Sequence, residues 1–208
     1  SNESFPWFGI KSGTVGLASD VRLLRVNYEG ELGWELYHPL AYQRHLLEAL
    51  LAAGKERGLR LIGLHALESL RLDKSYRAMY RDMNPELSAW ESGLERFIRL
   101  DKGDFIGKQA LLAEKERGIK QRSVTLAVET DGASTLTSEG VYHNGKLVGR
   151  VTSGSYSYTF NHDIALALLP VELGVLGTEL EIPVLGEMRK ARVIEESPYD
   201  PEAKRARV

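Results

Sequence analysis

The chain contains no cysteine, which excludes disulfides, thiol nucleophiles and thiolate metal sites and permits a reducing compartment. It has no apolar run long enough to span a bilayer, and its first residues, "SNESFPWFG", lack the basic-then-apolar layout of a secretory signal. A soluble protein is therefore expected, in the bacterial cytoplasm or a mitochondrial matrix. Neither sign of charge dominates: 27 Lys and Arg stand against 29 Asp and Glu. That balance argues against the broad basic face that nucleic-acid binding needs, so no nucleic-acid or membrane partner is expected. The five histidines show no i, i+4 pair and no metal signature, so no metal is assigned. "TSGSYS" is not the G-x-S-x-G of a nucleophile elbow, and no phosphate-cradling G-x-x-x-x-G-K-[ST] occurs. Internal repeats and low-complexity segments are absent as well.

What is present is a core-forming composition: 43% hydrophobic and 27% charged over 208 residues, enough for one large or two small domains. "VRLLRVNY" (21–28) reads as a strand, with "GWELYHP" as its partner after a Gly-containing turn. Tyr42, Leu46, Leu47, Leu50 and Leu51 recur at helical spacing before the polar, Gly-marked "AAGKERG". A second helix is predicted over "GLHALESLRLDKSY", giving a β-β-α-α order. "MNPELSAWESG" reads as loop, and "FIRLDKGDFIGKQALLAEKERG" as a short strand, a turn and a charged helix ending at Gly118. From Gln121 short β-rich runs follow one another: "RSVTLAVE", "EGVYHNGKLVGRVTSG", "DIALALLP", "TELEIPVL" and "EMRKARVI". Asn144-Gly145 is a strong hairpin signal, and strands at this spacing predict a small antiparallel barrel or sandwich. The expected fold class is α+β: an α/β unit over 1–120, a portion of a ferredoxin-like fold, then an antiparallel β-barrel over 121–208.

The stretch "VNYEGELGWELY" places three carboxylates and a Trp around a Gly-punctuated turn. Glu29 and Glu31 flank Gly30 and read as solvated turn residues. Trp34 alternates with Glu35 and is expected to point toward the core. Without the motif, Glu35 reads first as a solvated strand residue, with Tyr28 packed in the core.

"YEGELGWE" resembles the Y-x-G-E-x-G-x-E signature of the glycine cleavage T-protein (aminomethyltransferase) family. "GLHALESLRLDKSYR", "DFIGKQALL", "LVGRVTSGSYS", "IALALLP" and "SPYDPEAKRAR" are similar to that family in the same order. "FPWF", Trp34, "LESLRLDK" and "YDPEAKRAR" look most like the branch in which this region is the folate-binding module of FAD-dependent dimethylglycine or sarcosine dehydrogenases. T-proteins proper often carry Arg where this chain has Leu67, and a Glu is common where it has Asp73.

The resemblance implies a module that binds tetrahydrofolate and captures the carbon released from an N-methyl amine as 5,10-methylenetetrahydrofolate. Alternatives within the same resemblance are a T-protein aminomethyltransferase proper and a non-enzymatic folate-binding relative. Glu35 is implied as the acceptor for the pterin edge, with Tyr28 opposite it in the hairpin lining the same pocket. Arg71 is implied at the mouth, facing the folate carboxylates, although an Arg on an apolar helix stripe is equally well a structural ion-pair partner. Tyr156 in "TSGSYS" is implied to stack on the cofactor, with backbone near Gly154 approaching closely, although a tight turn with a packed Tyr explains the segment equally well. Tyr76 and Arg77 would cover the entrance or mark an exposed helix end. The catalytic aspartate and the FAD site of such enzymes lie upstream in the polypeptide. The expected partners are thus folate, an N-methyl amine and an upstream portion of the same chain, and these residues alone are expected to be inactive.

Overall fold

The computed structural model describes residues 2–208. The chain forms two compact units: one runs up to Leu70 and includes Asp200–Val208, and the other is Arg71–Tyr199.

The first unit is built on a three-stranded antiparallel sheet of β1 (Ile10–Val15), β2 (Ala18–Leu24) and β3 (Glu35–Tyr37), in that order. β1 is an addition to the β-β-α-α order: "IKSGTV" holds Lys, Ser, Gly and Thr, so it lacks the apolar alternation that marks a half-buried strand. A 3₁₀ turn (Leu40–Tyr42) leads into α1 (Gln43–Gly54). Buried Leu46 packs against Ala18 and Val21, with Val15, Leu23, Leu36 and Tyr42 around them. Arg25 is buried after β2, donating from Nη1 to the Phe5 carbonyl and from Nη2 to the Val208 carbonyl, each at 2.6 Å. It joins the first and last segments of this unit.

Helix α2 (Leu64–Asp73) carries the division between the units at Leu70 and Arg71. Beyond it "MNPELSAWESG" is loop, as expected. "FIRL" forms no strand: a 3₁₀ turn (Glu95–Phe97) occupies its start, and with only four residues before the Asp-Lys-Gly turn it makes no ladder. The charged helix α3 spans Lys108–Arg117 and ends at Gly118.

All five β-rich runs form strands: β4 (Gln121–Val128), β5 (Gly140–His143), β6 (Lys146–Ser157), β7 (His162–Pro170), β8 (Glu179–Val184) and β9 (Glu187–Ile194). They close into an antiparallel barrel in the order β4-β7-β6-β5-β8-β9. Asn144 and Gly145 both have positive φ (50° and 74°), the type I′ geometry whose twist suits a two-residue hairpin. Alternation fills the interior with Val124, Leu126, Val128, Val151, Ala165, Ala167, Leu169, Ile182 and Val193. β7 reads as one unbroken apolar run because both of its faces are covered. Its other face carries Ile164 and Leu166, packed on Leu72 and Phe160.

The connection from β4 to β5 is held down by a buried carboxylate. Asp163 accepts from the Thr135 backbone N–H at 2.7 Å and from the Thr135 and Ser134 hydroxyls at 3.4 Å. Burial pushes its carboxyl above the ordinary 3.8, opposed by these hydrogen bonds. Glu139 is also raised, first by burial and further by the charge of Asp163, while the Leu136 N–H lowers it. Between the ordinary and the raised value the folded chain holds more protons than the unfolded one. Stability contributed here is therefore present at low pH and lost as pH rises through that window. Asp163→Asn reduces this slope and leaves the share that burial gives Glu139, and paired urea titrations of the two proteins across the acid range will read the difference.

Candidate functional site

Glu35 opens β3, paired with Leu24 across the ladder, which in turn pairs with Ile10. With period-two alternation, Glu35 and Tyr37 share the sheet face opposite Leu23 and Leu36, the residues that pack toward α1. Glu35 is exposed, and its Oε2 accepts the Tyr37 hydroxyl at 2.8 Å. That hydrogen bond, reinforced by the carboxylate charge, raises the Tyr37 phenol above its ordinary 10.0. A carboxylate has about four acceptor positions, so Glu35 retains most of its acceptor capacity toward solvent.

The register moves Tyr28 away from the position opposite Glu35. β2 ends at Leu24, and residues 25–34 form an irregular loop in place of a tight turn. Asn27 Oδ1 caps the Gly30 N–H at 2.8 Å, and the Tyr28 N–H donates to Glu29 at 3.1 Å. These side-chain bonds to backbone compete with the ladder and end it early. Trp34 lies outside the paired strand, where alternation does not govern it, and is 46% exposed instead of packed in the core. Glu31 is also more than a solvated turn residue: both of its oxygens receive Arg205 Nε, at 2.9 and 2.8 Å.

The second unit holds a buried polar cluster that the sequence did not show as one. Arg71 is fully buried, its Nη1 donating to Asp82 Oδ2 at 3.0 Å and to the Tyr76 carbonyl at 2.8 Å. Asp82 also accepts from the Ala78 N–H at 2.8 Å, the Ser153 hydroxyl at 2.9 Å and the Thr152 hydroxyl at 2.5 Å. The geometry of Arg71 is thus that of an ion-pair partner, fastening the end of α2 to β6. Lys74 Nζ donates to the Tyr199 carbonyl, and Ser75 Oγ receives Thr125 Oγ1 and the Ser197 N–H. Arg77 is buried, bonded to the Ser75 and Ser92 carbonyls and paired with Glu196, so it is no exposed helix end.

Tyr156 is half-buried on β6, its ring 5.1 Å from that of Tyr158 in an edge-on arrangement. The close approach expected at Gly154 is present, and the neighbour is protein. A Cβ on Gly154 would fall on the carbonyl and hydroxyl of Thr135, whose own Cβ would lie 2.9 Å away. Gly154→Ala therefore forces the β4–β5 connection off β6, and overpacking of this kind costs roughly 1–3 kcal/mol. Urea denaturation of that variant reads the cost. Asp82, Thr152 and Ser153 escaped the sequence reading because Asp82 sits in a loop and nothing in "YRDMN" marks a buried acid. The "TS" of "TSGSYS" was the available signal.

No group of three or more His, Asp or Glu residues is placed to hold a metal among the described residues, and no helix there is long and apolar enough to cross a membrane.

A small sheet-and-helix unit followed by a closed six-stranded barrel, with the Glu35 signature on the first, defines a glycine cleavage T-protein type of architecture. The profile of the GCVT N-terminal domain matches residues 1–102, and that of the glycine cleavage T-protein C-terminal barrel domain matches residues 121–200. The chain belongs to the glycine cleavage T-protein family. It is 41% identical to mitochondrial dimethylglycine dehydrogenase of Mus musculus, over 100% of this chain and 24% of that protein. To the aminomethyltransferase of Desulfitobacterium hafniense (strain DSM 10664 / DCB-2) it is 35% identical, over 92% of this chain and 51% of that one. Among solved structures, the glycine cleavage system aminomethyltransferase T from Bartonella henselae aligns with a TM-score of 0.79 at 26% identity. That match covers 91% of this chain and 54% of the other. The chain thus spans about half of the aminomethyltransferases and about a quarter of the dehydrogenase.

Proposed function

We propose that this chain is the tetrahydrofolate-binding module of a one-carbon-transfer enzyme, and that it captures the carbon of an oxidised N-methyl amine as 5,10-methylenetetrahydrofolate. The observation that carries the reading is Glu35, an exposed carboxylate in the family signature whose described partner is one tyrosine hydroxyl. A pterin presents a ring N–H and an amino group side by side, and a carboxylate accepts both in a charge-assisted, bidentate manner. The first unit fits such a ligand at Glu35, which keeps an open acceptor toward solvent.

In this reading Tyr28 lines the pterin pocket from the loop after β2. Arg71 is paired with Asp82, which also accepts from Thr152 and Ser153 on β6. Folate supplies the nucleophilic nitrogen, and the protein supplies orientation and exclusion of water. The dehydrogenase branch is favoured over a T-protein proper by the higher identity to dimethylglycine dehydrogenase, 41% against 35%. FAD and amine oxidation then belong to another portion of a longer polypeptide, since this chain matches 24% of that relative.

The experiment is a titration of the chain with 5-formyltetrahydrofolate, followed by intrinsic tryptophan fluorescence and by calorimetry. Saturable binding with one site per chain is expected. A featureless titration at millimolar ligand contradicts the reading.

A further inference from the structure

The sheet of the first unit has a face that turns away from α1, and the register fixes what stands on it. Ile10, Leu24 and Glu35 lie opposite one another in one row, and Ser12, Arg22 and Tyr37 in the next. Arg22 is the one cation among these six residues. It is exposed, and its guanidinium has no hydrogen-bond or ion-pair partner among the described residues.

Arg22 and Glu35 sit on neighbouring strands two positions out of register, a diagonal of about 7–8 Å that long side chains can span. They are nonetheless not paired with each other. Glu35 Oε2 takes the Tyr37 hydroxyl instead, at 2.8 Å. Beside them lies an apolar floor. Leu24 is directly opposite Glu35 and two residues from Arg22 on the same strand; it is half-buried, and Ile10 beyond it is 61% exposed. A carboxylate can only accept and a guanidinium can only donate. A planar heterocycle laid on Leu24 therefore meets an acceptor across the strands and a donor along them. The pterin ring carries the matching pattern, since a ring carbonyl adjoins the ring N–H and amino group that a carboxylate takes.

We propose that Arg22 is a ligand contact additional to Glu35: its guanidinium donates to the pterin ring carbonyl, so that the two side chains together read a donor–donor–acceptor edge over Leu24. The inference rests on the folate reading above. It explains why an arginine on this face is left without a protein partner, because the acceptor arrives with the ligand. All of the residues involved belong to one sheet of one unit and are open to solvent or half-buried. Arg71, the cation that the motif implied for folate, is committed to Asp82.

The test titrates the unmodified chain, Arg22→Met, Arg22→Lys and Glu35→Gln with two probes. One is 5-formyltetrahydrofolate; the other is 6-methyltetrahydropterin, handled without oxygen, which keeps the ring edge and has no carboxylate. Arg22→Met should weaken both probes by about tenfold, the worth of one charge-assisted hydrogen bond. Arg22→Lys should recover part of that loss, because an ammonium still donates. The melting temperature should not move, since the side chain leaves no partner behind. Weakening confined to 5-formyltetrahydrofolate overturns the inference, because it would put Arg22 against the carboxylate tail. Binding of 5-formyltetrahydrofolate alone by the unmodified chain overturns it too, since the ring edge would then carry no affinity of its own. A melting temperature that falls together with affinity would assign Arg22 to the fold and equally overturns it. Failure of the unmodified chain to bind either probe overturns the folate reading, and this inference with it. Weaker binding by Glu35→Gln with unchanged binding by Arg22→Met overturns this inference alone.

Discussion

Asp82→Ala destabilises the Arg71–Tyr199 unit by about 3–5 kcal/mol, the cost of removing one partner of a buried ion pair. At about 2–4 °C per kcal/mol for a chain of this length, the melting temperature falls by roughly 6–20 °C. The loss is large because Asp82 is shared. Without it the buried Arg71 guanidinium loses its carboxylate partner. The Ala78 N–H and the hydroxyls of Thr152 and Ser153 lose their acceptor in the same step. Arg71→Met costs less, since Asp82 keeps the Ala78, Thr152 and Ser153 donors. A double variant, Arg71→Met with Asp82→Leu, recovers part of the loss, because two apolar side chains tolerate burial that one unpaired charge does not. Urea denaturation followed by circular dichroism orders the three proteins. An Asp82→Ala midpoint equal to that of the parent would show that the cluster is spectator polarity.

Glu35→Gln is expected to weaken reduced-folate binding by about 1.5–3 kcal/mol, one to two decades in affinity. The change is nearly isosteric, yet one acceptor oxygen becomes an amino group that confronts a donor on the pterin. The fold should not notice. Glu35 is exposed, its contact is with the Tyr37 hydroxyl, and an amide oxygen can still accept that bond. A shift in binding without a shift in melting temperature therefore separates a ligand contact from a structural one. Tyr37 supplies a second readout, since loss of the neighbouring charge lets its phenol fall back toward the ordinary 10.0.

The barrel was legible in the sequence because each strand combines alternation with a punctuated end. "VYHNGKLV" names its own turn, and the continuous run "IALALL" announces a strand covered on both faces. Helix α1 was legible from the spacing of Leu46 and its neighbours. What escaped was set by contacts distant in sequence. β1 has too few apolar residues to reveal itself, and its pairing with β2 is what makes it a strand. The register of β3 was misjudged because Asn27 and Glu29 bind backbone N–H groups in the loop and consume residues that alternation alone assigned to the ladder. Exposure of Trp34 follows from the same early end.

The candidate site was legible in part and for a different reason. Glu35 and Tyr156 were singled out through motif resemblance, and the structure adds the surroundings of each in its own unit. Arg71 was visible as a cation on an apolar stripe, but its partner lies eleven residues on in a loop, beyond any local rule. Asp73 looked like a shortened acid of doubtful use. Its buried, unpaired oxygen is a property of packing against Thr159 and Tyr199 that no one-dimensional pattern encodes.

The most direct measurement titrates Glu35→Gln and Glu31→Gln side by side with 5-formyltetrahydrofolate. Glu31 shares the signature and the charge of Glu35, yet its oxygens are committed to Arg205 in an exposed pair. Its replacement should shift affinity by less than about threefold, as surface substitutions away from a ligand do. Glu35→Gln should shift it by tenfold or more, with the melting temperature unchanged. Equal effects from the two variants would contradict the account and reduce the signature to a charged loop between two strands.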